Sequence, residues 1–128
     1  MMPAKGFEAS TRHRNGAAII DLRGEIDRAA ADALSSAYRE ATGRNESAVL
    51  LNFEGVDYIN STGIAVIVGL LAQARTQGRG VTACGLSDHY KEIFEITRLS
   101  DFMTIVDDED KAVTDVSAEG ADTKQGGG

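Results

Sequence analysis

The chain has 128 residues, of which 42% are hydrophobic and 26% charged, values typical of one soluble globular domain. Its formal net charge of -7 argues against nucleic acid as a partner, because phosphate binding requires clustered Lys and Arg side chains. The longest apolar run, residues 64–72, is far shorter than the roughly 20 residues needed to cross a bilayer, so no membrane insertion is expected.

Cysteine content and the N-terminal sequence predict a cytoplasmic location. Cys84 is the only cysteine, so no internal disulfide can form, as is usual in a reducing compartment. The N-terminal sequence has no apolar segment of the kind found in a secretion signal. The composition of the two ends predicts a flexible N-terminus at residues 1–6, one folded domain at 7–116 and a disordered tail at 117–128.

The first predicted elements are two strands and a helix. Strands at residues 7–14 and 17–23 flank Asn15-Gly16, the strongest short sequence signal for a β-hairpin. From Asp27 onward apolar residues recur at helical spacing, which predicts a helix capped by Asp27 and ended by Gly43.

Strands and helices alternate through the rest of the chain. The remaining predicted elements are strand 48–53, helix 61–77, strand 80–84, helix 87–99, strand 103–106 and a final helix 108–116. Such alternation indicates parallel crossover connections, whereas the opening hairpin adds one antiparallel pair. The sequence therefore predicts an α/β fold, a single domain with one mixed, mostly parallel sheet of about five strands flanked by about four helices.

Three common nucleotide-binding and catalytic motifs are absent from the sequence. It lacks the GxxxxGK[ST] phosphate loop, the GxGxxG turn and the GxSxG nucleophile elbow. His13 and His89, the only histidines, are far apart in the sequence, and no base is evident for a nucleophilic serine. An enzyme that uses Ser61 as its nucleophile is therefore the least favoured interpretation, and neither a cofactor nor a metal site is expected.

The segment YINSTGIAVIVGLL, residues 58–71, places two hydroxyl side chains between a strand and a helix. The first turn of a helix has unpaired N–H groups and a partial positive charge of about half a unit. Ser61 can cap this helix, and a phosphate added there would find hydrogen-bond donors. Because phosphate adds about -1.5 to -2 charges close to acidic loops, it could also block a partner surface. Ser61 is therefore predicted to be a cap, a phosphoacceptor or both.

The helix after Ser61 is apolar in almost every direction for two turns, and its first charged residue is Arg75. One face must pack on the sheet. The opposite face is either covered by a neighbouring helix or exposed as an interaction surface, and the sequence leaves both possibilities open.

Three segments resemble the STAS domain of the anti-sigma-factor antagonists, also called anti-anti-sigma factors. GEID, residues 24–27, is similar to the family's strand-ending motif before its first helix. Residues 50–71 resemble its strand, loop and phosphoacceptor helix, and residues 85–113 resemble its C-terminal segment. The resemblance covers about residues 7–116.

This resemblance implies a non-catalytic protein that binds an anti-sigma factor, itself a serine/threonine kinase, and thereby frees a sigma factor. Phosphorylation by the kinase separates the pair, and a phosphatase resets the switch. The implied phosphoacceptor is Ser61, with Thr62 as the second choice. The implied partner-binding residues are Asp27, Asn60, Ser61, Thr62, Gly63 and Ile64.

One position departs from the family pattern. The acid that precedes the serine in the family is Asn60 here, which keeps the shape but removes a negative charge beside the acceptor. The sequence leaves open whether this change helps or hinders phosphorylation. The alternative is a binding module of the same fold that does not switch at Ser61, either a stressosome-like scaffold or an accessory subunit of a lipid or anion transporter.

Overall fold

The computed structural model of the protein describes residues 6–43 and 48–114. The elements in chain order are β1 (Phe7–Arg14), β2 (Ala17–Ile26), a 3₁₀ turn (Arg28–Ala30), α1 (Ala31–Ala41), β3 (Ala48–Ile59), α2 (Ser61–Thr76), β4 (Gly80–Cys84), α3 (Asp88–Ile96), a second 3₁₀ turn (Leu99–Asp101) and β5 (Thr104–Ile105). Residues 109–114 are also helical and are called α4. The predicted flexible start and disordered tail lie outside the described residues, except for Gly6.

The five strands form one sheet in the order β1-β2-β3-β4-β5. β1 and β2 are antiparallel, and the other neighbouring pairs are parallel. Asn15 and Gly16 both have positive φ angles, 51° and 83°, as a type I′ hairpin turn requires. The predicted mixed sheet and opening hairpin are therefore confirmed.

Two strands are longer than predicted. β2 continues to Ile26 and β3 to Ile59, because the parallel pairing between them extends as far as the Ile26–Ile59 pair. The second half of β3 is mostly exposed, so its residues lack the apolar pattern that predicted a strand end at Phe53. Backbone pairing, rather than burial, continues this strand.

Helix boundaries also differ from the prediction. The Asp27 carboxylate accepts a hydrogen bond from the Ala29 N–H, so the segment begins as a 3₁₀ turn and α1 starts only at Ala31. α3 ends at Ile96 rather than at residue 99, because Arg98 adopts a left-handed conformation with φ 68°. Residues 115–116 of the predicted last helix lie outside the described residues.

The core has two parts, one on each face of the sheet. Alternate residues along a strand point to opposite faces, so Ile20 and Leu51 belong to one part and Ile19 and Leu50 to the other. The larger part receives buried side chains from α1, α2 and α3, among them Leu34, Tyr38, Ile67, Leu71 and Phe94. On the opposite face, Ala112 and Val113 of α4 cover Ile19, Leu50 and Cys84.

Ion pairs attach α4 to the same face. Arg12 on β1 donates to Asp21 at 2.6 Å and to Glu109, while Arg14 donates to Glu109 at 2.8 Å and to Asp110 at 2.7 Å. The hydrogen bonds from Arg12 lower the pKa of both Asp21 and Glu109. Arg12 therefore joins β1, β2 and α4 in one charged cluster.

Replacing Arg12 should produce a pH-dependent loss of stability. Because the folded-state pKa of Asp21 and of Glu109 is lowered, the stabilisation is present at neutral pH and is lost as acid protonates these carboxylates. Arg12→Met should therefore lower the free energy of unfolding by about 1 kcal/mol at neutral pH, a value discounted for solvent exposure, and by less in acid. Urea denaturation at several pH values measures this difference.

Arg23→Met is the matched control. Its guanidinium lies 3.7 Å from Glu8, and both side chains are largely exposed, so a change within about 0.5 kcal/mol is expected. A loss of stability in Arg12→Met that stays constant on acidification would contradict the role given to the ion pairs.

Candidate functional site

The predicted site lies where two parallel strands end side by side. Ile26 of β2 pairs with Ile59 of β3, so the next residues, Asp27 and Asn60, follow the carboxyl ends of these two strands side by side. Both lead from a strand into a helical turn. The structure thus brings the two predicted segments, residues 24–27 and 58–64, together at the carboxyl ends of β2 and β3.

Asn60 is the N-cap of α2. Its side-chain oxygen accepts hydrogen bonds from the Gly63 N–H and the Thr62 hydroxyl, both at 2.8 Å. The prediction that Ser61 caps the helix is wrong, because Asn60 has the extended conformation of a cap and Ser61 is already the first helical residue. The amide provides this capping without the charge of an acid.

The two neighbouring hydroxyls differ in their contacts. The Thr62 hydroxyl donates to the Asn60 side chain, whereas the Ser61 hydroxyl makes no hydrogen bond within the described part of the chain. Both residues are exposed. A reaction at the Ser61 hydroxyl therefore requires no existing hydrogen bond to be broken.

Gly63 allows the first turn of α2 to lie directly against the end of β2. A Cβ atom at this position would lie only 2.0 Å from the carbonyl oxygen of Ile26. The same carbonyl accepts the Asn60 N–H at 3.2 Å. Gly63 is buried, so it gives the helix room to approach rather than a side chain for a partner, and Ile64 is half-buried against the core.

An apolar stripe of exposed residues continues from Ser61 along α2. Ile67, Leu70, Leu71 and Ala74 face the core. The other side of the helix presents Ala65, Val68 and Ala72, of which Val68 is 46% exposed. The question left open by the sequence is thus answered, because this side of the helix is exposed within the described structure.

Two tyrosines near the site were not singled out from the sequence. Tyr58 is 53% exposed at the end of β3, and Tyr90 of α3 accepts a hydrogen bond from the Ile59 N–H at 2.9 Å. In the sequence, Tyr90 is one position within the predicted helix 87–99. The partner of its hydroxyl depends on tertiary packing, which spacing along the chain does not reveal.

No His, Cys, Asp or Glu side chain forms a hydrogen bond with Ser61 in the described residues. The ring of His89 packs edge-on against Tyr90, with centroids 4.9 Å apart. Burial raises the pKa of Cys84 to about 12, which keeps its thiol protonated at neutral pH. Within the described ranges no three His, Cys, Asp or Glu side chains group as metal ligands, and no helix is both long and apolar enough to cross a membrane.

Substitutions at Asn60 should separate the contribution of the cap from that of its charge. Asn60→Ala is expected to lower the free energy of unfolding by about 1 kcal/mol, because the Gly63 N–H loses its acceptor. Asn60→Asp should keep the cap and gain about 0.3–1 kcal/mol at neutral pH from the helix dipole. Urea denaturation measures both changes, with Ser61→Ala as the control. A larger loss in Ser61→Ala than in Asn60→Ala would restore Ser61 as the cap.

Comparison with known proteins identifies the class to which this site belongs. A family model described as STAS domain matches residues 8–112. An anti-sigma-B factor antagonist of Listeria monocytogenes is 33% identical over 86 residues, which cover 67% of this chain and 75% of that protein. An anti-sigma F factor antagonist of Paenibacillus polymyxa is 25% identical over 111 residues, covering 86% and 95% respectively.

A solved structure shows the same fold. The crystal structure of an anti-sigma factor antagonist from Mycobacterium paratuberculosis has a TM-score of 0.71 and 20% identity, covering 91% of this chain and 99% of that one. The chain therefore belongs to the STAS domain family, of the anti-sigma-factor antagonist type. The resemblance read from its three segments is confirmed.

Proposed function

We propose that the protein binds an anti-sigma serine/threonine kinase, frees the sigma factor held by that kinase, and is switched off by phosphorylation of Ser61. In this way it regulates transcription indirectly, and a phosphatase that removes the phosphate restores it. The observation that carries the proposal is the exposed Ser61 hydroxyl, which makes no hydrogen bond in the described residues and lies where the apolar stripe of α2 begins.

The surroundings of Ser61 favour a switch driven by charge. Before phosphorylation the adjoining stripe is apolar and the cap is the neutral Asn60. A phosphate would add about -1.5 to -2 charges in front of the first turn of α2, whose N–H groups can donate hydrogen bonds to it. A kinase packed on the stripe would have to desolvate that charge, so its binding should weaken.

Neighbouring acids strengthen this effect. Asp27 leaves the adjacent strand beside Asn60, and Asp57 is exposed on β3 close to its end. A phosphate on Ser61 would add to the negative charge at the carboxyl ends of β2 and β3. A partner suited to the unmodified surface would have to accommodate that charge. Asn60 moderates the charge before modification, since it caps α2 without a carboxylate.

A displacement experiment tests the proposal. The purified protein is added to a complex of a candidate anti-sigma kinase with its sigma factor, and free sigma factor is measured by size-exclusion chromatography. Release is expected without ATP and should decline with time when ATP is present. Ser61→Ala should release sigma factor under both conditions.

The alternative of a non-switching module predicts a different result. Binding to a partner would then be the same with and without ATP, and wild type and Ser61→Ala would behave alike. Failure to displace sigma factor from any cognate kinase would contradict the proposed function itself.

A further inference from the structure

The strand that leads to Ser61 has an incompletely paired edge. β3 pairs with β4 only from Ala48 to Asn52, whereas it pairs with β2 as far as Ile59. From Phe53 onward, the β4 side of β3 therefore has no neighbouring strand in the described structure. Backbone N–H groups on such an edge need other acceptors, or they remain unsatisfied.

Tyr90 provides an acceptor at the last residue of this edge. Its phenol oxygen accepts the Ile59 N–H at 2.9 Å, so α3 takes the place of the missing strand at one position. Tyr90 is itself held in place, because its own N–H donates to the Ser87 cap and its ring contacts His89. Tyr90 also lines a small cavity together with Phe53 and Ile59.

The next amide of the chain is held by a different element. The Asn60 N–H donates to the Ile26 carbonyl oxygen at 3.2 Å. Two consecutive amides, those of Ile59 and Asn60, are thus fixed from opposite sides by α3 and β2. Ser61 follows directly, so these two bonds hold the backbone immediately before it.

We propose that Tyr90 is a positioning residue for Ser61, acting through the amide of Ile59. The inference rests on the proposed phosphorylation of Ser61, since that reaction is where the position of the hydroxyl matters. Phosphoryl transfer requires the acceptor oxygen to be held in line with the donor, and small displacements slow such steps strongly. Tyr90 itself contacts neither the hydroxyl nor the phosphate donor in this scheme.

Tyr90→Phe tests the inference because it removes only the hydroxyl. The Ile59 N–H then loses its acceptor, and its exchange with solvent deuterium should become roughly tenfold faster, as expected for one lost hydrogen bond. NMR relaxation should show increased motion at Asn60 and Ser61. With the cognate kinase and ATP, the maximal rate of Ser61 phosphorylation should fall severalfold, while the half-saturating concentration changes little.

Tyr38→Phe is the matched control. It removes a phenol hydroxyl that bonds to Gln77 at 2.6 Å, at the far end of α2. It should lower the free energy of unfolding without changing the motion or the phosphorylation rate of Ser61. A merely structural role of Tyr90 would make the two variants alike.

The inference is overturned if Tyr90→Phe leaves the relaxation of Ser61 unchanged, whatever the kinase does. It is also overturned if motion increases but the maximal phosphorylation rate equals that of the wild type. A wild-type protein whose Ser61 is never phosphorylated would instead contradict the proposed function. The two failures are thereby distinguished.

Discussion

Gly63→Ala is expected to destabilise the protein by about 3 kcal/mol and to impair binding to the kinase. The added Cβ would lie 2.0 Å from the Ile26 carbonyl oxygen, which belongs to the backbone of a buried strand end and has little room to move. The first turn of α2 must therefore shift away from β2. This shift would weaken the bond from the Asn60 N–H to the same carbonyl and displace Ser61.

Gly69→Ala, the same substitution six residues later in the same helix, is the control. A Cβ atom at Gly69 meets nothing within 4 Å, and the position is exposed. Alanine is the better helix former, so this variant should be more stable by about 0.5–1 kcal/mol. Urea denaturation of both variants gives the comparison. Equal effects at the two positions would contradict the close approach of α2 to β2.

Ser61→Asp is expected to weaken binding to the anti-sigma kinase by about tenfold or more, equivalent to about 1.4 kcal/mol. The carboxylate imitates part of the phosphate charge at the start of the apolar stripe, where a packed partner would have to desolvate it. Isothermal titration calorimetry of wild type and variant against the kinase measures the change.

Ser61→Asn separates charge from size in this experiment. It has nearly the shape of the aspartate variant without its charge, so binding should stay close to that of Ser61→Ala. Raising the salt concentration should reduce the difference between the Asp and Asn variants, because exposed charges are screened. Equal weakening by Asp and Asn would indicate a steric effect and would count against a charge switch.

Much of the fold follows from local sequence patterns. The Asn15-Gly16 turn needs two positive φ angles, which these two residues tolerate. The opening hairpin could therefore be predicted from these two residues. β1 and β4 have the predicted bounds, 7–14 and 80–84. The outer half of β3 could not be predicted, because exposed residues such as Glu54 and Asp57 are held there by pairing with β2.

The site was predicted in location but not in detail. The change from strand to helix pattern placed Ser61 at a helix start, and family resemblance singled out the surrounding residues. Which residue caps the helix depends on the backbone conformation of Asn60, and hydroxyl, amide and carboxyl side chains all suit that role. The bond between Tyr90 and Ile59 joins residues 31 positions apart and depends on how α3 packs, so no local pattern could indicate it.

We propose that Ser61 is the one phosphoacceptor of a binding switch. The most direct measurement is tandem mass spectrometry of the wild-type protein after incubation with its cognate anti-sigma kinase and ATP, with Ser61→Ala treated in parallel. We expect a single phosphate on Ser61 and none on the variant. A phosphate on Thr62 or elsewhere, or an unmodified protein that still binds the kinase, would contradict it.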